Sequence, residues 1–120
     1  MMSTRAEIAV IDDDEAVLES FRFMLEAAGY EVLAYPSAIA FLESRPRRPR
    51  CLILDQHMPR MSGLELAARL RAEGLGIPIM LITAAPTPAI AARAARLGIE
   101  RVLEKPPGEE ELIGFIAAHD

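Results

Sequence analysis

The sequence predicts an α/β domain in which a parallel β-sheet is covered by helices on both faces. Five short apolar runs alternate with stretches whose apolar residues recur at helical spacing, so that a helix follows each strand. Gly29, Gly74 and Gly98 each close a helical stretch just before an apolar run, as helix C-caps do. A length of 120 residues with 52% hydrophobic residues suits one domain with one core. We therefore treat residues 1–120 as one domain, with right-handed crossovers between its strands.

The five predicted strands are short apolar runs bounded by polar or turn-forming residues. They cover residues 7–11, 31–35, 51–54, 77–82 and 101–104. Of the helices between them, the first runs through Ala28, the third stops at residues 73–74 and the fourth spans residues 89–97. The predicted helix starts carry capping residues or negative charge in the first turn. These are Asp13 or Asp14, Ser37, Ser62 with Glu65, Thr87, and the acidic residues 109–111.

The third strand ends in a carboxylate. Residues 51–54 lead directly into Asp55, and a loop with Pro59 and Gly63 follows. An apolar run of this length is typical of a buried strand, so Asp55 is predicted to lie at the carboxyl end of a core strand, where parallel sheets bind ligands. A buried charge without a partner is costly. The next helix begins too late for Asp55 to cap it, so we interpret Asp55 as a functional residue.

Polar residues also follow three other strands. Asp12 and Asp13 come after the first strand, Thr83 after the fourth and Lys105 after the fifth. The carboxyl ends of parallel strands share one edge, so these side chains are predicted to face one crevice with Asp55 if their strands are neighbours. Lys105 is the single lysine among thirteen basic residues, which suggests a site that requires a compact ammonium group.

These side chains predict a magnesium-dependent phosphoryl-transfer site. Three carboxylates packed together repel one another, and the pKa of one rises unless cations compensate. Lys105 supplies one positive charge, and a divalent ion would supply the rest. Hard oxygen ligands without a cysteine or histidine pair favour Mg²⁺ over Zn²⁺. A carboxylate nucleophile, a hydroxyl, an ammonium group and Mg²⁺ together suit phosphoryl transfer.

Over essentially its whole length the chain resembles the CheY-like receiver domains of bacterial two-component response regulators. The resemblance rests on Val-Ile-Asp-Asp-Asp at residues 10–14, Asp-Gln-His-Met-Pro-Arg-Met-Ser-Gly at residues 55–63, Thr83-Ala84 and Lys105-Pro106, in the expected order and spacing. It implies a flavodoxin-like (βα)5 three-layer sandwich with strand order 2-1-3-4-5. It also implies a phosphorylation-activated switch rather than an enzyme, with output through the fourth helix, fifth strand and fifth helix.

The resemblance assigns the acceptor and the metal ligands. Asp55 matches the phosphoacceptor. Asp13, together with Asp12 through water, matches the acidic pair that holds Mg²⁺ or Mn²⁺. The backbone carbonyl of His57 matches a further metal ligand.

The resemblance also implies how the phosphoryl group is bound and delivered. Thr83 matches the hydroxyl that binds a phosphoryl oxygen, and Ala84 matches the small residue beside it. Lys105 matches the lysine that pairs with the phosphoryl group, and its peptide bond to Pro106 is expected to be cis. The donor would be a phosphohistidine on a sensor histidine kinase or a phosphotransfer protein.

Two positions depart from the family pattern. Val102 stands three residues before the lysine, where the family usually has an aromatic switch residue. Pro107 stands where the family usually has Phe after Lys-Pro. Because no aromatic ring can follow Thr83 inward, we expect phosphorylation to occur with an altered or weak readout.

Three alternative functions stay open at this point. A small aspartate-dependent phosphatase would require a second aspartate two residues after the nucleophile, where this chain has His57. An FMN carrier would require a Ser/Thr/Gly-rich phosphate loop after the first strand, where residues 12–14 are aspartates that repel phosphate. A pseudo-receiver that is never phosphorylated would not need the acidic pair, Asp55, Thr83 and Lys105.

Composition limits the cellular setting. A net charge of −5 argues against nucleic-acid binding by this domain, and the apolar runs are too short to cross a membrane. The N-terminus lacks the apolar core of a signal peptide, and Cys51 is the only cysteine, so we expect a cytoplasmic protein without an internal disulfide.

Residues 10–42 resemble receivers that precede helix-turn-helix DNA-binding domains. An effector domain outside this sequence, a single-domain regulator and a phosphorylation-dependent homodimer are all compatible with this sequence.

Overall fold

The computed structural model describes residues 7–44 and 48–119, and in these residues five strands alternate with five helices. The strands are β1 (Glu7–Ile11), β2 (Glu31–Tyr35), β3 (Cys51–Asp55), β4 (Ile79–Thr83) and β5 (Arg101–Glu104). The helices are α1 (Glu15–Ala27), α2 (Ala38–Ser44), α3 (Gly63–Ala72), α4 (Pro88–Arg96) and α5 (Glu109–Ala117). The predicted strand–helix alternation is therefore confirmed.

The strands form one parallel sheet in the order β2-β1-β3-β4-β5, which confirms the flavodoxin-like topology. β3 lies in the middle, and all five of its residues are buried. Asp55 is in register with Ile82, and Thr83 is in register with Glu104. Strands β1, β3, β4 and β5 thus end close together along one edge of the sheet.

Two hydrophobic layers, one on each face of the sheet, form the core. One layer contains Phe41 of α2, Leu66 of α3 and Ala94 of α4. The other contains Phe21 of α1 and Phe115 of α5. Since both faces of the central strands are covered, their residues are apolar almost throughout, as expected for a parallel sheet. Burial of these side chains is the main stabilising contribution to the three-layer fold.

The helix starts resolve one ambiguity of the sequence. Asp14, not Asp13, caps α1, because its Oδ1 accepts hydrogen bonds from the backbone N–H groups of Ala16 at 2.9 Å and Val17 at 3.3 Å. Asp13 therefore has no capping role and is available to the neighbouring site. The predicted capping box of α3 is confirmed, with Ser62 as N-cap.

The predicted start of β4 is two residues too early. The strand begins at Ile79 rather than at residue 77. Pro78 has no N–H to donate to a neighbouring strand, and the carbonyl of Ile77 accepts a hydrogen bond from the Arg71 guanidinium at 2.9 Å instead. Arginines stand at positions 45, 47, 48 and 50 between α2 and β3, and residues 45–47 of this segment lie outside the described residues. No helix within the described ranges combines the length and apolarity needed to span a membrane.

Candidate functional site

Three charged side chains from separate strands meet at the carboxyl edge of the sheet. Asp12 follows β1, Asp55 ends β3 and Lys105 follows β5. The ammonium nitrogen of Lys105 lies 2.9 Å from Asp12 Oδ2 and 3.3 Å from Asp55 Oδ1. The structure therefore brings together residues from near the two ends of the chain, positions 12 and 105.

Asp13 completes an acidic cluster with these two aspartates. One carboxylate oxygen from each of Asp12, Asp13 and Asp55 lies within 4.8 Å of the other two. Asp12 and Asp55 are 1% and 4% exposed, whereas Asp13 is exposed and leaves the cluster open to solvent. One oxygen of Asp12 is already occupied, since its Oδ1 accepts a hydrogen bond from the Asp14 N–H at 2.9 Å.

The donor set fits a hard divalent cation. All three side chains offer carboxylate oxygens, which Mg²⁺ and Mn²⁺ prefer to the softer ligands that select zinc. Three carboxylates face a single ammonium group, so the cluster has excess negative charge that a divalent ion would neutralise. The exposed Asp13 leaves a path by which a hydrated ion can enter.

Burial and neighbouring charge shift two pKa values at the site. Burial raises the pKa of Asp55 above its ordinary value, and the adjacent Asp12 carboxylate raises it further, while Lys105 opposes both effects. Burial by itself would lower the pKa of Lys105. The hydrogen bond and charge of Asp12 and the charge of Asp55 outweigh burial, so the pKa of Lys105 is raised. Lys105 is therefore held in its charged form between the two carboxylates.

Thr83 and Ala84 lie beside this cluster at the end of β4. Thr83 is fully buried, and its Oγ1 accepts a hydrogen bond from the Ala85 N–H at 3.2 Å. The carbonyl of Thr83 accepts a hydrogen bond from the Lys105 N–H at 2.9 Å. Thr83 is thus hydrogen-bonded to the β4–α4 loop through its hydroxyl and to Lys105 through its main-chain carbonyl. Ala84 is exposed.

The remaining predicted positions lie in the loop after β3, within β5 and directly after Lys105. His57 is exposed in the loop between β3 and α3, and the Lys105–Pro106 peptide bond is cis. Val102 lies in β5 opposite Leu81, is half-buried and packs against the hydrophobic layer beneath α2, α3 and α4. No aromatic ring occupies that position.

Gln56 was missed by sequence reasoning. Its N–H donates to Ile82 O at 2.9 Å, its carbonyl accepts from the Gly63 N–H at 3.0 Å, and its side-chain Oε1 accepts from the Leu64 N–H at 2.8 Å. It therefore joins the end of β3 to both β4 and the start of α3. The sequence does show an amide residue directly after the candidate acceptor Asp55. Its capping role could not be predicted from that position, because the helix that it caps begins seven residues further along the chain.

Comparison with known proteins places this arrangement in a family. Residues 8–117 match the family described as "Response regulator receiver domain". The chain is 36% identical over 116 residues to "Transcriptional regulatory protein FixJ" of Bradyrhizobium diazoefficiens, covering 96% of this chain and 57% of FixJ. It is 40% identical over 119 residues to "Response regulator protein TodT" of Pseudomonas putida, covering 98% of this chain and 52% of TodT. The chain thus spans about half the length of these relatives.

Solved structures agree with this assignment. The response regulator StyR superposes with a TM-score of 0.86 at 40% identity, covering 97% of this chain and 59% of StyR. The structure named FixJ-N superposes with a TM-score of 0.84 at 33% identity, covering 96% of this chain and 93% of that chain. Receiver domains serve two-component systems as phosphorylation switches and bind Mg²⁺ at an acidic pocket. The sequence match, the topology and the acidic cluster lead to one conclusion: this chain belongs to the response regulator receiver domain family.

Proposed function

We propose that this chain is a signalling switch that is activated when Asp55 accepts a phosphoryl group. The donor is a phosphohistidine on a sensor histidine kinase or a phosphotransfer protein. The observation that carries this proposal is the Asp55 carboxylate, which is 4% exposed at the end of the central strand and lies 3.3 Å from Lys105 Nζ. Asp12 and Asp13 each place one carboxylate oxygen within 4.8 Å of an Asp55 carboxylate oxygen.

In the proposed reaction the Asp55 carboxylate is the nucleophile. One of its oxygens forms a bond to phosphorus while the bond from phosphorus to the donor imidazole nitrogen breaks, and the electron pair of that bond stays on the imidazole. Lys105 remains charged because of its raised pKa, so its ammonium group pairs with the negative oxygens of the transferring group. Asp55 must be deprotonated to attack, and the nearby Lys105 favours that form.

Asp12, Asp13 and Asp55, with the backbone carbonyl of His57, are the groups proposed to hold Mg²⁺ or Mn²⁺. When bound, such an ion supplies positive charge that stabilises the phosphoryl oxygens. The carboxylates keep it at the acceptor, and Asp13 provides the ligand that is open to solvent. Support for this assignment comes from the hard-oxygen donor set and from its excess negative charge.

Thr83 is proposed to report the phosphoryl state. Its hydroxyl accepts from the Ala85 N–H at 3.2 Å before phosphorylation. Turning toward a phosphoryl oxygen would break that bond and release the β4–α4 loop, and the small Ala84 side chain leaves room for the phosphoryl group. Output is then expected on the face formed by α4, β5 and α5. Because Val102 provides no aromatic ring, we propose that this readout is weak.

The relatives support a setting for the switch. FixJ is named a transcriptional regulatory protein, and the matched region covers 57% of it. We propose that this chain likewise controls an effector domain of the helix-turn-helix DNA-binding type that lies outside the sequence, and that it forms a homodimer when phosphorylated. The net charge of −5 supports a domain that does not itself contact nucleic acid. A cytoplasmic location fits a kinase partner.

The test is chemical phosphorylation followed by intact mass measurement. The protein is incubated with acetyl phosphate and Mg²⁺, with Asp55→Asn and an EDTA-treated sample as controls. We expect a single stable phosphoryl adduct that both controls lack. Continuous release of inorganic phosphate without an adduct would support a phosphatase instead, and absence of both would support a pseudo-receiver.

A further inference from the structure

Gln56 directly follows β3 and also caps the start of α3, so this one residue fixes both ends of the loop between them. The first two N–H groups of α3, those of Gly63 and Leu64, donate to the main-chain carbonyl and side-chain Oε1 of Gln56 at 3.0 and 2.8 Å. Ser62 accepts from the next two N–H groups of the helix at 3.2 and 3.0 Å. The first turn of α3 is therefore fully capped, and half of the capping comes from the residue that follows the phosphoacceptor.

Close packing at the same point leaves little freedom for the loop to move. A Cβ atom added at Gly63 would lie 2.5 Å from the carbonyl oxygen of Asp55 and 3.1 Å from Cα of Gln56, so the helix start rests directly on the end of β3. Met58 anchors the middle of the loop, since its side chain is 8% exposed and belongs to the core. His57, whose carbonyl is the proposed metal ligand, lies between these two attachments.

The Gln56 side chain is the attachment of this loop that a single substitution can remove while the main-chain contacts remain. Leu64 is 3% exposed and its N–H donates to Gln56 Oε1, so a substitution that removes this acceptor leaves a largely buried N–H group in need of another partner. Buried N–H groups are rarely left without a partner, and the chain would have to shift to satisfy this one. The shift would affect residues 57–62 and hence the His57 carbonyl, while β3 itself stays held by its neighbours β1 and β4.

We propose that Gln56 is a positioning residue for the metal site: by capping α3 with its side chain it fixes the loop that carries the His57 carbonyl, the proposed metal ligand. This inference rests on the proposed function, because it assigns Gln56 a role toward the same divalent ion. Groups that orient metal ligands typically contribute about 10-fold or more to metal affinity. Gln56 acts through the loop and does not itself contact the phosphoryl group.

Three variants separate positioning from general loosening of the helix. Gln56→Leu keeps the side-chain volume but removes the acceptor. Gln56→Glu keeps an oxygen acceptor at the same place. Ser62→Ala removes a capping bond from the same helix end without touching Gln56, and is the matched control.

The main measurement is Mn²⁺ affinity, obtained from the electron paramagnetic resonance signal of free Mn²⁺ titrated with each folded protein. We expect Gln56→Leu to bind Mn²⁺ about 10-fold or more weakly than wild type. Gln56→Glu should bind at least as tightly as wild type, and Ser62→Ala should bind within about 3-fold of it. In ¹H–¹⁵N NMR spectra, the Leu64 amide resonance should shift in Gln56→Leu and stay near its wild-type position in Ser62→Ala.

Several outcomes would overturn the inference. Equal Mn²⁺ affinity of Gln56→Leu and wild type would overturn the role of Gln56. If wild type still accepts a phosphoryl group in that case, the proposed function stays intact. An equal loss of affinity in Ser62→Ala would show that any weakening of α3 disturbs the site, which removes the special role of Gln56. Failure of wild-type protein to bind Mn²⁺ or to be phosphorylated would overturn both proposals.

Discussion

The ammonium nitrogen of Lys105 lies closer to Asp12 than to Asp55, at 2.9 Å from Asp12 Oδ2 and 3.3 Å from Asp55 Oδ1. One cation thus compensates two buried carboxylates that would otherwise repel each other. Because Asp55 is the proposed nucleophile, the same contact influences both the stability of the fold and the reactivity of the site.

Replacing Lys105 with Met should leave both carboxylates uncompensated. We expect Lys105→Met to lower the free energy of unfolding of the metal-free protein by about 1–3 kcal/mol, measured by urea denaturation in EDTA. Mg²⁺ should restore part of the loss by neutralising the same carboxylates. Arg101→Met is the matched control, because its ion pair with Glu111 is exposed and should contribute less than about 1 kcal/mol. Equal stability of Lys105→Met and wild type in EDTA would contradict the assigned role.

The raised pKa of Asp55 predicts a particular pH dependence of stability. Burial, with the Asp12 charge, raises the pKa above the ordinary value of 3.8. Between the unfolded and folded values the native state binds more protons than the unfolded state, so this residue lowers stability as pH rises through that window. Asp55→Asn removes the ionisation and should raise the melting temperature of the metal-free protein at neutral pH.

The experiment is thermal unfolding across acidic to neutral pH, with EDTA and then with Mg²⁺. In EDTA, Asp55→Asn should be more stable than wild type at neutral pH, and the difference should shrink toward acidic pH. With Mg²⁺ the order should reverse, because only wild type gains a full metal site. A wild-type protein that is the more stable of the two in EDTA at neutral pH would contradict this explanation.

Gly63 is expected to tolerate no side chain. An alanine Cβ there would lie 2.5 Å from the Asp55 carbonyl oxygen and 2.8 Å from Leu81 Cδ1, and the backbone oxygen cannot move aside without displacing β3. We expect Gly63→Ala to destabilise the protein by about 3 kcal/mol and to reduce phosphorylation of Asp55 by acetyl phosphate. The matched control is Gly114→Ala in α5, where nothing lies within 4 Å of the added atom and stability should rise by about 0.5–1 kcal/mol. Similar behaviour of both variants would contradict the packing described.

Arg71 lies at the other end of the strands, where it binds the segments that lead into β4 and β5. Its Nε donates to Leu97 O at 2.7 Å, and its Nη1 donates to Leu75 O and Ile77 O at 2.8 and 2.9 Å. One guanidinium group therefore joins the end of α4 to the segment between α3 and β4. Arg71→Met should destabilise the protein by about 2–4 kcal/mol in urea denaturation, because several partly buried carbonyls lose their donors together.

A neighbouring arginine provides the comparison for Arg71. Arg69 also lies on α3, but its ion pair with Glu73 is exposed. Arg69→Met should therefore cost no more than about 1 kcal/mol. If the two substitutions have equal effects, the carbonyl contacts of Arg71 contribute little to stability.

The proposed weakness of the readout can be measured directly. Addition of beryllofluoride with Mg²⁺ mimics the phosphoryl group, and we expect amide NMR shifts to be large near Asp55 but small across residues 84–103. Val102→Tyr supplies an aromatic side chain at the half-buried β5 position and should enlarge the shifts in that segment. Large shifts across residues 84–103 in the wild-type protein would contradict a weak readout.

Local patterns were sufficient for most of the fold. The apolar runs and helix caps identified every element, because strand and helix periodicity are properties of neighbouring residues. The predicted start of β4 was wrong because a proline within an apolar run still reads as apolar, although Pro78 has no N–H to donate to a neighbouring strand. The strand order was implied by the resemblance to a known family, since no local pattern specifies which strands are neighbours.

By itself the sequence determined that carboxylates, a hydroxyl and one lysine follow the strands of a parallel sheet, and this was enough to predict one shared edge. Only the tertiary structure decided that Lys105 pairs with Asp12 as well as Asp55, that Asp14 caps α1, and that Gln56 caps α3. The Lys105 pairing depends on distances of a few ångströms between segments far apart in the chain. The two caps are local, but each depends on the exact backbone path of a loop, which sequence periodicity does not specify. Sequence periodicity specifies which way a side chain faces, whereas hydrogen-bond partners are selected by how the packed elements finally meet.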